Sequence, residues 1–435
     1  MTGSTIFAPA TARGRAGVAV VRVSGPAADR SLAAIAGGVP VPRTAHLAAL
    51  IDPATGETID RGLVLWFPGP ASFTGEDVAE FHVHGGPAVI AGLLAALGRI
   101  ADCRMAEPGE FTRRAFQNGK LDLTQAEGLG DLIAAETAAQ RRQALGQMAG
   151  GFARIAEDWA LRLTRTLAHV EAAIDFPDED LPEDLLGPAR TAAEALEREI
   201  RSRLSDGRRG EILRDGLSVA LIGPPNSGKS SLMNALAGRD AAIVSAHAGT
   251  TRDVIEVHLD LGGYPVILAD TAGIRDGADP IEAEGIRRAR ARAEAADLRL
   301  LVLDATRPAH VVDFAALRDD ATVLVWNKTD LAPVPPEGLG VSATTGTGMG
   351  DLVAALAVRA EGLLASGDAP VVTRERHRAA LEECAACLGR AITGQDPALV
   401  AEDLRLAVRA LGRITGRVDV EDLLDVIFRD FCIGK

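Results

Sequence analysis

The spacing of apolar and polar residues divides the chain into parts of three kinds. In residues 1 to about 118, short β-branched runs at 18–23, 63–67 and 78–83 alternate with Gly/Pro turns. One apolar helix is predicted near residues 88–100. Strand-length apolar runs bounded by turn residues, together with a single helix, predict a small α+β domain.

The pattern becomes helical from about residue 121 to 174 and breaks at residues 176–188, a segment with three prolines and a run of acids. Helical spacing then resumes to about residue 204. From residue 217 to about 356, short apolar strands alternate with helices, which is typical of a parallel-sheet α/β domain. After Pro370 the chain is helical again. Because helix precedes and follows the α/β unit, we expect that unit to be inserted into a helical domain.

The predicted fold class is therefore a multidomain α/β chain with an additional all-helical domain. We place an N-terminal domain at residues 1–118 and the first part of the helical domain at 119–214. The inserted α/β domain follows at 215–365, and the second part of the helical domain at 366–435 ends in a cysteine motif.

Composition fits this interpretation and excludes several classes of protein. The chain has 435 residues, of which 47% are hydrophobic and 24% charged, so a disordered or fibrous chain is excluded. No stretch approaches the ~18 apolar residues of a membrane span, and the N-terminus lacks the apolar core of a signal peptide. Four cysteines in a chain of this length do not make a disulfide framework. We expect a reduced, cytoplasmic protein.

The charge balance limits how the chain could contact RNA. It has 46 Lys and Arg against 60 Asp and Glu, a net charge of -14, whereas proteins that neutralise phosphate backbones usually carry the opposite sign. Any RNA contact would use a local patch or the surface of a partner. Arginine-rich clusters lie at residues 201–214, 287–292 and 374–378. We interpret each of them as a solvated helix face.

A phosphate-binding loop is the strongest chemical signal. Residues 223–230, GPPNSGKS, follow the strand-like run at 217–222 and precede a helical stretch at 231–237. This strand–loop–helix context is the one in which the backbone N–H groups of such a loop face phosphate oxygens. Lys229 is predicted to bridge the β- and γ-phosphates, and the Ser230 hydroxyl to bind Mg²⁺.

Two further motifs follow the phosphate-binding loop along the chain. Asp270 ends the strand at 265–269 and can hold Mg²⁺ through water, while Gly273 can offer its N–H to the γ-phosphate. Asn327-Lys328-Thr329-Asp330 follows the strand at 322–326. The Asp330 carboxylate can accept hydrogen bonds from guanine N1–H and the exocyclic amine, which adenine would leave unmade.

Other groups are predicted to complete the guanine site and the catalytic site. We expect Asn327 to reach the edge of the base, and the Ser342-Ala343 backbone to donate an N–H group to guanine O6. The switch loop falls at residues 249–253, GTTRD, where Thr251 is predicted to complete the Mg²⁺ shell. Ile274 occupies the place of a water-orienting glutamine, so hydrolysis would use another group; Glu282 and Glu284 are the available carboxylates.

These motifs, with Asn226 in the P-loop and the terminal FCIGK, resemble the MnmE family of tRNA-modification GTPases. Residues 5–25, 73–77, 84–87 and 108–123 also match that family, so the resemblance spans the whole chain. It implies an N-terminal folate-binding domain that forms a homodimer, a helical domain built from two chain segments, and an inserted Ras-like P-loop G domain.

The resemblance also implies a function. Together with MnmG, a flavin- and NADH-dependent subunit, members form a heterotetramer that modifies the 5-position of the wobble uridine, U34, in certain tRNAs. The added aminomethyl or carboxymethylaminomethyl group takes one carbon from methylenetetrahydrofolate. Dimerisation of the G domains is potassium-dependent and activates GTP hydrolysis. The implied cofactors are Mg²⁺, K⁺ and a 5-formyl- or 5,10-methylenetetrahydrofolate.

Site residues carried over from the family fall into four groups. Potassium ligands are implied at Asn226, Ser245, His247 and Thr250, and folate contacts at Arg22, Glu80, Lys120 and Lys435. Catalytic roles are implied for Glu282, which selects it over Glu284, and for the thiol of Cys432. The nucleotide-binding positions are Asn226, Ser227, Gly228, Lys229, Ser230, Ser231, Ser245, Thr250, Thr251, Asp270, Thr271, Ala272, Gly273, Asn327, Lys328, Asp330, Ser342 and Ala343.

Four other residues have side chains that could bind a metal or take part in catalysis, but we assign them structural roles. Cys384 and Cys387 are spaced CxxC within a helical pattern with no second ligand pair, so core packing is favoured over zinc. His82 and His84 alternate along a strand and share one face, but no carboxylate partner is identifiable from sequence. We interpret both histidines as structural.

Two other functions remain open at this stage. A ribosome-assembly GTPase would share the G-domain motifs and bind RNA without chemistry, but the N-terminal domain and the FCIGK ending argue against it. A non-catalytic folate-binding scaffold would use its G domain only as a conformational switch. The presence of residues needed for turnover, among them Lys229, Ser230 and Asp270, argues against a catalytically inactive G domain.

Overall fold

A computed structural model describes residues 3–12, 14–175, 186–239, 241–243, 256–270, 294–365, 372–418, 424, 427–429, 431 and 434. The chain forms two compact units. The first comprises Met1–Gly130, Met148–Thr164 and Val408–Lys435, and the second comprises Asp131–Gln147 and Arg165–Ala407.

The first unit contains a six-stranded sheet. Its strands are β1 Thr5–Pro9, β2 Ala16–Ser24, β3 His46–Ile51, β4 Thr58–Phe67, β5 Val78–Gly85 and β6 Cys103–Met105. The strand order is β3-β4-β5-β2-β1-β6, antiparallel throughout except for the parallel pair β1 and β6.

Side-chain alternation gives this sheet two unlike faces. In β5, Phe81 and Val83 are buried, while Glu80 and His82 point to the other side and are partly exposed. The buried face packs against helices α1 (Ala28–Ala36) and α2 (Pro87–Gly98). The opposite face therefore displays the polar side chains of the central strands.

The second unit contains a mainly parallel sheet. Its strands are β7 Leu217–Ile222, β8 Glu256–Leu261, β9 Tyr264–Asp270, β10 Leu298–Asp304, β11 Thr322–Asn327 and β12 Leu339–Gly340. The order is β12-β11-β10-β7-β9-β8, and only β8 is antiparallel to its neighbour. Because β7 has β9 on one side and β10 on the other, the strand order reverses there, and ligands of such sheets bind at the carboxyl ends of the strands around this point.

Helices account for most of the remaining described chain. They are α3 Glu110–Gln117, α4 Leu123–Ala134, α5 Ala138–Met148, α6 Gly151–Asp175, α7 Gly187–Leu204, α8 Arg209–Asp215, α9 Lys229–Ala237, α10 Met349–Leu364, α11 Glu375–Thr393 and α12 Pro397–Thr415, with a 3₁₀ helix at Pro308–Leu317. The parallel sheet is preceded by α7 and followed by α11, which pack against each other, in agreement with the predicted insertion. Among the helices described, none is both long and apolar enough to cross a membrane.

The CxxC pair is part of the core, as predicted. Cys384 and Cys387 lie on α11 and are both buried. Burial, which is the largest influence, raises the pKa of the Cys384 thiol. Within the described part of the chain, no group of three or more His, Cys, Asp and Glu side chains is arranged to hold a metal ion.

The interpretation of the cluster at 374–378 as a solvated helix face is wrong for Arg378. Its guanidinium donates to Glu211 Oε1 at 2.8 Å, to Asp206 Oδ1 at 2.9 Å and to the Leu204 carbonyl at 3.0 Å. Burial acts against ionisation of Glu211, but hydrogen bonds from Arg208 and Arg378 outweigh it and lower the Glu211 pKa. Arg378 therefore connects α11 to α8, the helix that leads into β7.

Candidate functional site

The predicted phosphate-binding loop joins β7 to α9 and encloses the Lys229 ammonium. Lys229 Nζ donates to the carbonyls of Gly223 and Pro224, both at 3.0 Å. The Ser227 hydroxyl is buried and has no hydrogen-bond partner within the described residues. An ammonium held inside the loop and an unsatisfied buried hydroxyl both fit a phosphate ligand, as does the adjacent N-terminus of α9.

Gly228 allows the loop to approach the strand that carries the predicted base-reading motif. Its φ is +90°, and a Cβ at this position would lie 2.2 Å from the Nδ2 atom of Asn327. Only glycine fits both the left-handed backbone and this close approach.

Asn327 has a structural role that the sequence did not reveal. It is buried, its Nδ2 donates to the Ser227 carbonyl at 3.0 Å, and its Oδ1 accepts from the backbone N–H of Lys328 at 2.9 Å and of Ala343 at 3.1 Å. Its Nδ2 carries a second N–H besides the one donated to Ser227, so the prediction that Asn327 also reaches the edge of the base stays a prediction. The contacts made by Asn327 hold the phosphate loop against the two loops that would enclose the base.

The predicted donors to guanine O6 are also engaged. The Ser342 N–H donates to the Thr347 carbonyl at 2.9 Å, and the Ala343 N–H donates to Asn327. In this structure both backbone N–H groups have acceptors within the protein, and donation by either of them to guanine O6 stays a prediction. Asp330, by contrast, is exposed at the end of the same motif. Its carboxylate is the accessible acceptor for a base.

Asp304 is a member of this site that the sequence did not reveal. It ends β10, directly beside Asn327 on β11. Its Oδ2 accepts from Lys328 Nζ at 2.7 Å, and its Oδ1 accepts from the N–H and hydroxyl of Thr306 at 2.9 and 2.6 Å. Burial acts against its ionisation, but the bonds from Lys328 and Thr306 outweigh it and lower the Asp304 pKa to about 2. The signal that could have identified Asp304 from the sequence was its position at the end of a strand between the two strands that carry the motifs.

The remaining nucleotide-site predictions are only partly within the described chain. Ser230 and Ser231 are exposed in the first turn of α9, where a hydroxyl can serve a cation that also contacts phosphate. Asn226 is exposed, with a φ of +61°. Asp270 ends β9, with its backbone beside Leu221. Outside the described residues lie Ser245, His247, Thr250, Thr251, Thr271, Ala272, Gly273, Glu282, Cys432 and Lys435.

Two of the predicted folate contacts form a cross-strand pair on the open face of the first sheet. Arg22 on β2 lies opposite Glu80 on β5, and its Nε and Nη2 donate to Glu80 Oε1 at 3.0 and 2.9 Å. His82 Nε2 lies 3.1 Å from the other oxygen of Glu80. The sequence did not identify a carboxylate partner for either histidine, but each has one in the structure, since His84 Nδ1 lies 2.9 Å from Asp60 Oδ1.

The third described folate position, Lys120, borders the same loop as Arg22. Lys120 Nζ donates to the Pro70 carbonyl at 3.1 Å. The Arg22 guanidinium lies over the Phe73 ring, 5.3 Å from its centroid. The loop from Pro70 to Phe73 thus connects the two cations, and Phe73 adds an aromatic surface that sequence reasoning missed.

The described residues of the C-terminal motif are anchored on the first unit. A Cβ on Gly434, whose φ is +101°, would lie 2.0 Å from the Pro9 carbonyl oxygen. Phe431 packs 5.7 Å from Phe428, measured between ring centroids. Pro9 lies opposite Val21, the residue before Arg22. Gly434 therefore contacts the strand pair that carries Arg22.

Family models match almost the entire chain. Residues 5–120 match the N-terminus of the GTP-binding protein TrmE, and residues 123–432 match the MnmE helical domain. A tRNA modification GTPase MnmE from Parvibaculum lavamentivorans is 60% identical over 437 residues, covering 99% of this chain and 100% of the relative. Proteins of the same name from Paramagnetospirillum magneticum and Rhodospirillum rubrum are 58% and 56% identical and cover at least 99% of both chains.

The match extends over both units and includes the phosphate-loop, base-motif and N-terminal residues described above. The chain belongs to the MnmE family of tRNA modification GTPases.

Proposed function

We propose that this protein is a potassium-activated, cytoplasmic GTPase that acts as a homodimer. With MnmG it would modify the 5-position of U34 in certain tRNAs, using one carbon from methylenetetrahydrofolate. The observation that carries the GTPase part is the phosphate loop, which contains Lys229 and is joined to the base motif through Asn327. The domain limits proposed for this function are residues 1–118, 119–214, 215–365 and 366–435.

GTP and magnesium would be held by groups on the carboxyl ends of the parallel strands. Lys229 would contact the β- and γ-phosphates, and the exposed Asp330 carboxylate would accept from the guanine edge. Ser230 would bind Mg²⁺ together with Thr251. Bound Mg²⁺ neutralises developing charge on the phosphates. Asn327 and Lys328 would also bind GTP, and their contacts with the phosphate loop support that role.

Potassium would bind beside the phosphate loop. The side-chain oxygen of Asn226 is the one described ligand proposed for it, and its exposed position supports this role. Ser245, His247 and Thr250 would supply further oxygens, and for them the proposal rests on the family resemblance. Amide, hydroxyl and carbonyl oxygens suit a hard cation.

Hydrolysis would depend on Glu282, acting through a bridging water. The family resemblance selects this carboxylate, and Ile274 offers no group that could orient water. A carboxylate of this kind serves by accepting a proton or by orienting the nucleophile.

Folate would bind on the polar face of the first sheet. Arg22 and Lys120 are cations that can pair with the glutamate tail, and Glu80 can accept from pterin N–H groups. Both cations border the loop that carries Phe73. Contact between Gly434 and Pro9 supports a functional place for the Cys432 thiol and Lys435 near this face.

GTP-dependent movement would reach the helical part of the second unit through the β8–β9 hairpin. At the open ends of this hairpin, opposite its turn, residues 244–255 precede β8 and residues 271–293 follow β9. These two segments contain the proposed switch and catalytic residues. Its closed end is bound by α5, where the Ala139 N–H donates to the Gly263 carbonyl at 3.0 Å. His258 on β8 also lies 2.7 Å from Glu136 Oε2. A shift of either open end would therefore act on α5.

Complementation with a nucleoside readout tests this function. The full chain is expressed in bacteria that lack their own MnmE-family protein, and wobble nucleosides from digested tRNA are identified by mass spectrometry. We expect the wild-type chain to restore 5-aminomethyl-type uridines and Cys432→Ser to fail to restore them. The control Cys103→Ser, which alters a half-buried thiol of the first unit, restores them. Restoration by Cys432→Ser would make that thiol structural. Rescue of ribosome profiles without the nucleoside would favour the ribosome-assembly alternative.

A further inference from the structure

The Lys328 ammonium joins a carboxylate at the end of one strand to the backbone of the phosphate loop. Lys328 Nζ donates to Asp304 Oδ2 at 2.7 Å and to the Asn226 carbonyl at 2.8 Å. Asp304 is mostly buried, with 8% of its surface exposed. One side chain thus holds the carbonyl of Asn226 in place while a buried anion holds that side chain.

Asn226 needs such support because its backbone is in an uncommon conformation. Its φ is +61°, and that of Lys328 is +65°. Residues other than glycine occupy this left-handed region infrequently, although Asn does so more readily than most. The direction of the Asn226 side chain follows from this backbone conformation, since φ and ψ restrict the allowed rotamers.

Asp304 is itself oriented by its neighbours. Thr306 donates twice to Oδ1, which leaves Oδ2 for Lys328. Its low pKa keeps the carboxylate ionised throughout the neutral range. The ionised carboxylate therefore accepts a charge-assisted hydrogen bond from Lys328.

We propose that Asp304 is a positioning residue for the activating cation: through Lys328 it fixes Asn226 and thereby sets the affinity of the site for potassium. This inference rests on the proposed potassium site at Asn226. In this role Asp304 acts through Lys328 and Asn226 and is not itself proposed as a ligand of the cation. Its effect is on the concentration of potassium that the enzyme needs.

Asp304→Asn separates this role from a general loss of structure. The Asn Oδ1 can still accept from Thr306, while its NH₂ group would face the Lys328 ammonium, donor against donor. Lys328 then loses its anchor and Asn226 is held less firmly. We expect the half-activating KCl concentration to rise about tenfold, the scale of one charge-assisted hydrogen bond. At saturating KCl the kcat returns to that of the wild type, which damage to the fold would not allow.

Matched variants complete the test, which uses the full chain in a KCl series at constant ionic strength with NaCl. It measures GTP turnover and, in the same samples, association of the G domains by light scattering with GDP and aluminium fluoride. Asp319→Asn removes a carboxylate paired with Arg299 in the same unit, away from the phosphate loop, and keeps the wild-type KCl requirement. Asp304→Glu retains the charge and recovers part of the potassium affinity. If Asp304→Asn fails to fold, Thr306→Val, which releases the orientation of Asp304, shifts the KCl requirement in the same direction.

The outcomes distinguish this inference from the function on which it rests. Equal activity of the wild-type enzyme in NaCl and KCl would exclude the proposed potassium site and, with it, this inference. A potassium-dependent wild type whose Asp304→Asn variant, or Thr306→Val in its place, keeps the wild-type half-activating concentration overturns the positioning role alone. A lower kcat at saturating KCl with an unchanged half-activating concentration also overturns it, because that pattern indicates a merely structural residue.

Discussion

Gly228 and Asn327 approach each other so closely that a Cβ on the glycine would lie 2.2 Å from the amide nitrogen of the asparagine. The same nitrogen donates to the Ser227 carbonyl. The phosphate loop and the base motif therefore share one packed contact, although they are about a hundred residues apart in sequence. We therefore expect a change in this contact to affect the binding of both the phosphates and the base.

Gly228→Ala tests that contact. The added methyl group would meet Asn327 and would strain a φ of +90°, so one of the two loops must move. Overpacking of this contact costs about 1–3 kcal/mol, which predicts GDP binding weaker by about tenfold or more. The dissociation constant of a fluorescent GDP analogue measures this change. Gly346→Ala is the control, because Gly346 also has a positive φ, +80°, but a Cβ there meets nothing within 4 Å. Equal affinities for the two variants would contradict the proposed contact.

Gly434→Ala tests the anchoring of the C-terminal motif. A Cβ here would lie 2.0 Å from the Pro9 carbonyl oxygen, so the last residues would lose their contact with β1. We expect faster hydrogen exchange in the C-terminal peptide and loss of the modified nucleoside, with GTP turnover unchanged. Gly37→Ala, at a φ of +75° with nothing within 4 Å, keeps both activities. Normal modification by Gly434→Ala would show that this contact is dispensable.

Glu136→Gln tests the hairpin connection. The variant keeps the shape of the side chain but removes the charge that faces His258, so β8 is held less firmly to the residues before α5. Both partners are partly exposed, so the cost in the free energy of unfolding is at most about 1 kcal/mol. We expect GTP turnover to persist while modification falls.

A double variant and a control make this result specific. Adding His258→Gln to Glu136→Gln lowers modification no further if the two residues act as one pair. Glu171→Gln removes an ion pair with Arg405 elsewhere in the second unit and leaves modification intact. Additive losses in the double variant would show that His258 and Glu136 act separately.

Glu282→Ala tests the assignment of the hydrolytic carboxylate. Loss of a group that orients or deprotonates water lowers turnover by about 10²–10⁴-fold while leaving binding of GTP unchanged. Single-turnover hydrolysis and analogue binding on the same sample separate these two effects. Glu284→Ala is the matched control and retains turnover. Normal turnover by Glu282→Ala together with loss of turnover in Glu284→Ala would assign the role to Glu284.

Local patterns were sufficient for much of the fold. The apolar runs at 217–222 and 322–326 lie in β7 and β11, and the helix predicted near 88–100 is α2 at Pro87–Gly98. Strands β1, β3 and β6 were missed because β6 is short and all three lie at or next to an edge of the sheet, where the partner decides the structure. Helix α1 was also missed, since only one helix was predicted in this domain.

The site was predictable in its motifs but not in its internal contacts. Spacing located Lys229 and Asp330, yet it could not show that the Asn327 amide is engaged by Ser227. Asp304 had no motif of its own, and its role became visible only when β10 was placed beside β11. Contacts between distant segments depend on strand order, which a pattern along one chain does not specify.

The measurement that tests the proposed function most directly is GTP turnover by the full-length protein in matched KCl and NaCl buffers. Light scattering after addition of GDP and aluminium fluoride reports association of the G domains in the same samples. A potassium-activated GTPase predicts rapid turnover and association in KCl and neither in NaCl. Equal turnover in both salts, without association, would contradict the potassium-dependent mechanism and remove Asn226 from its proposed role.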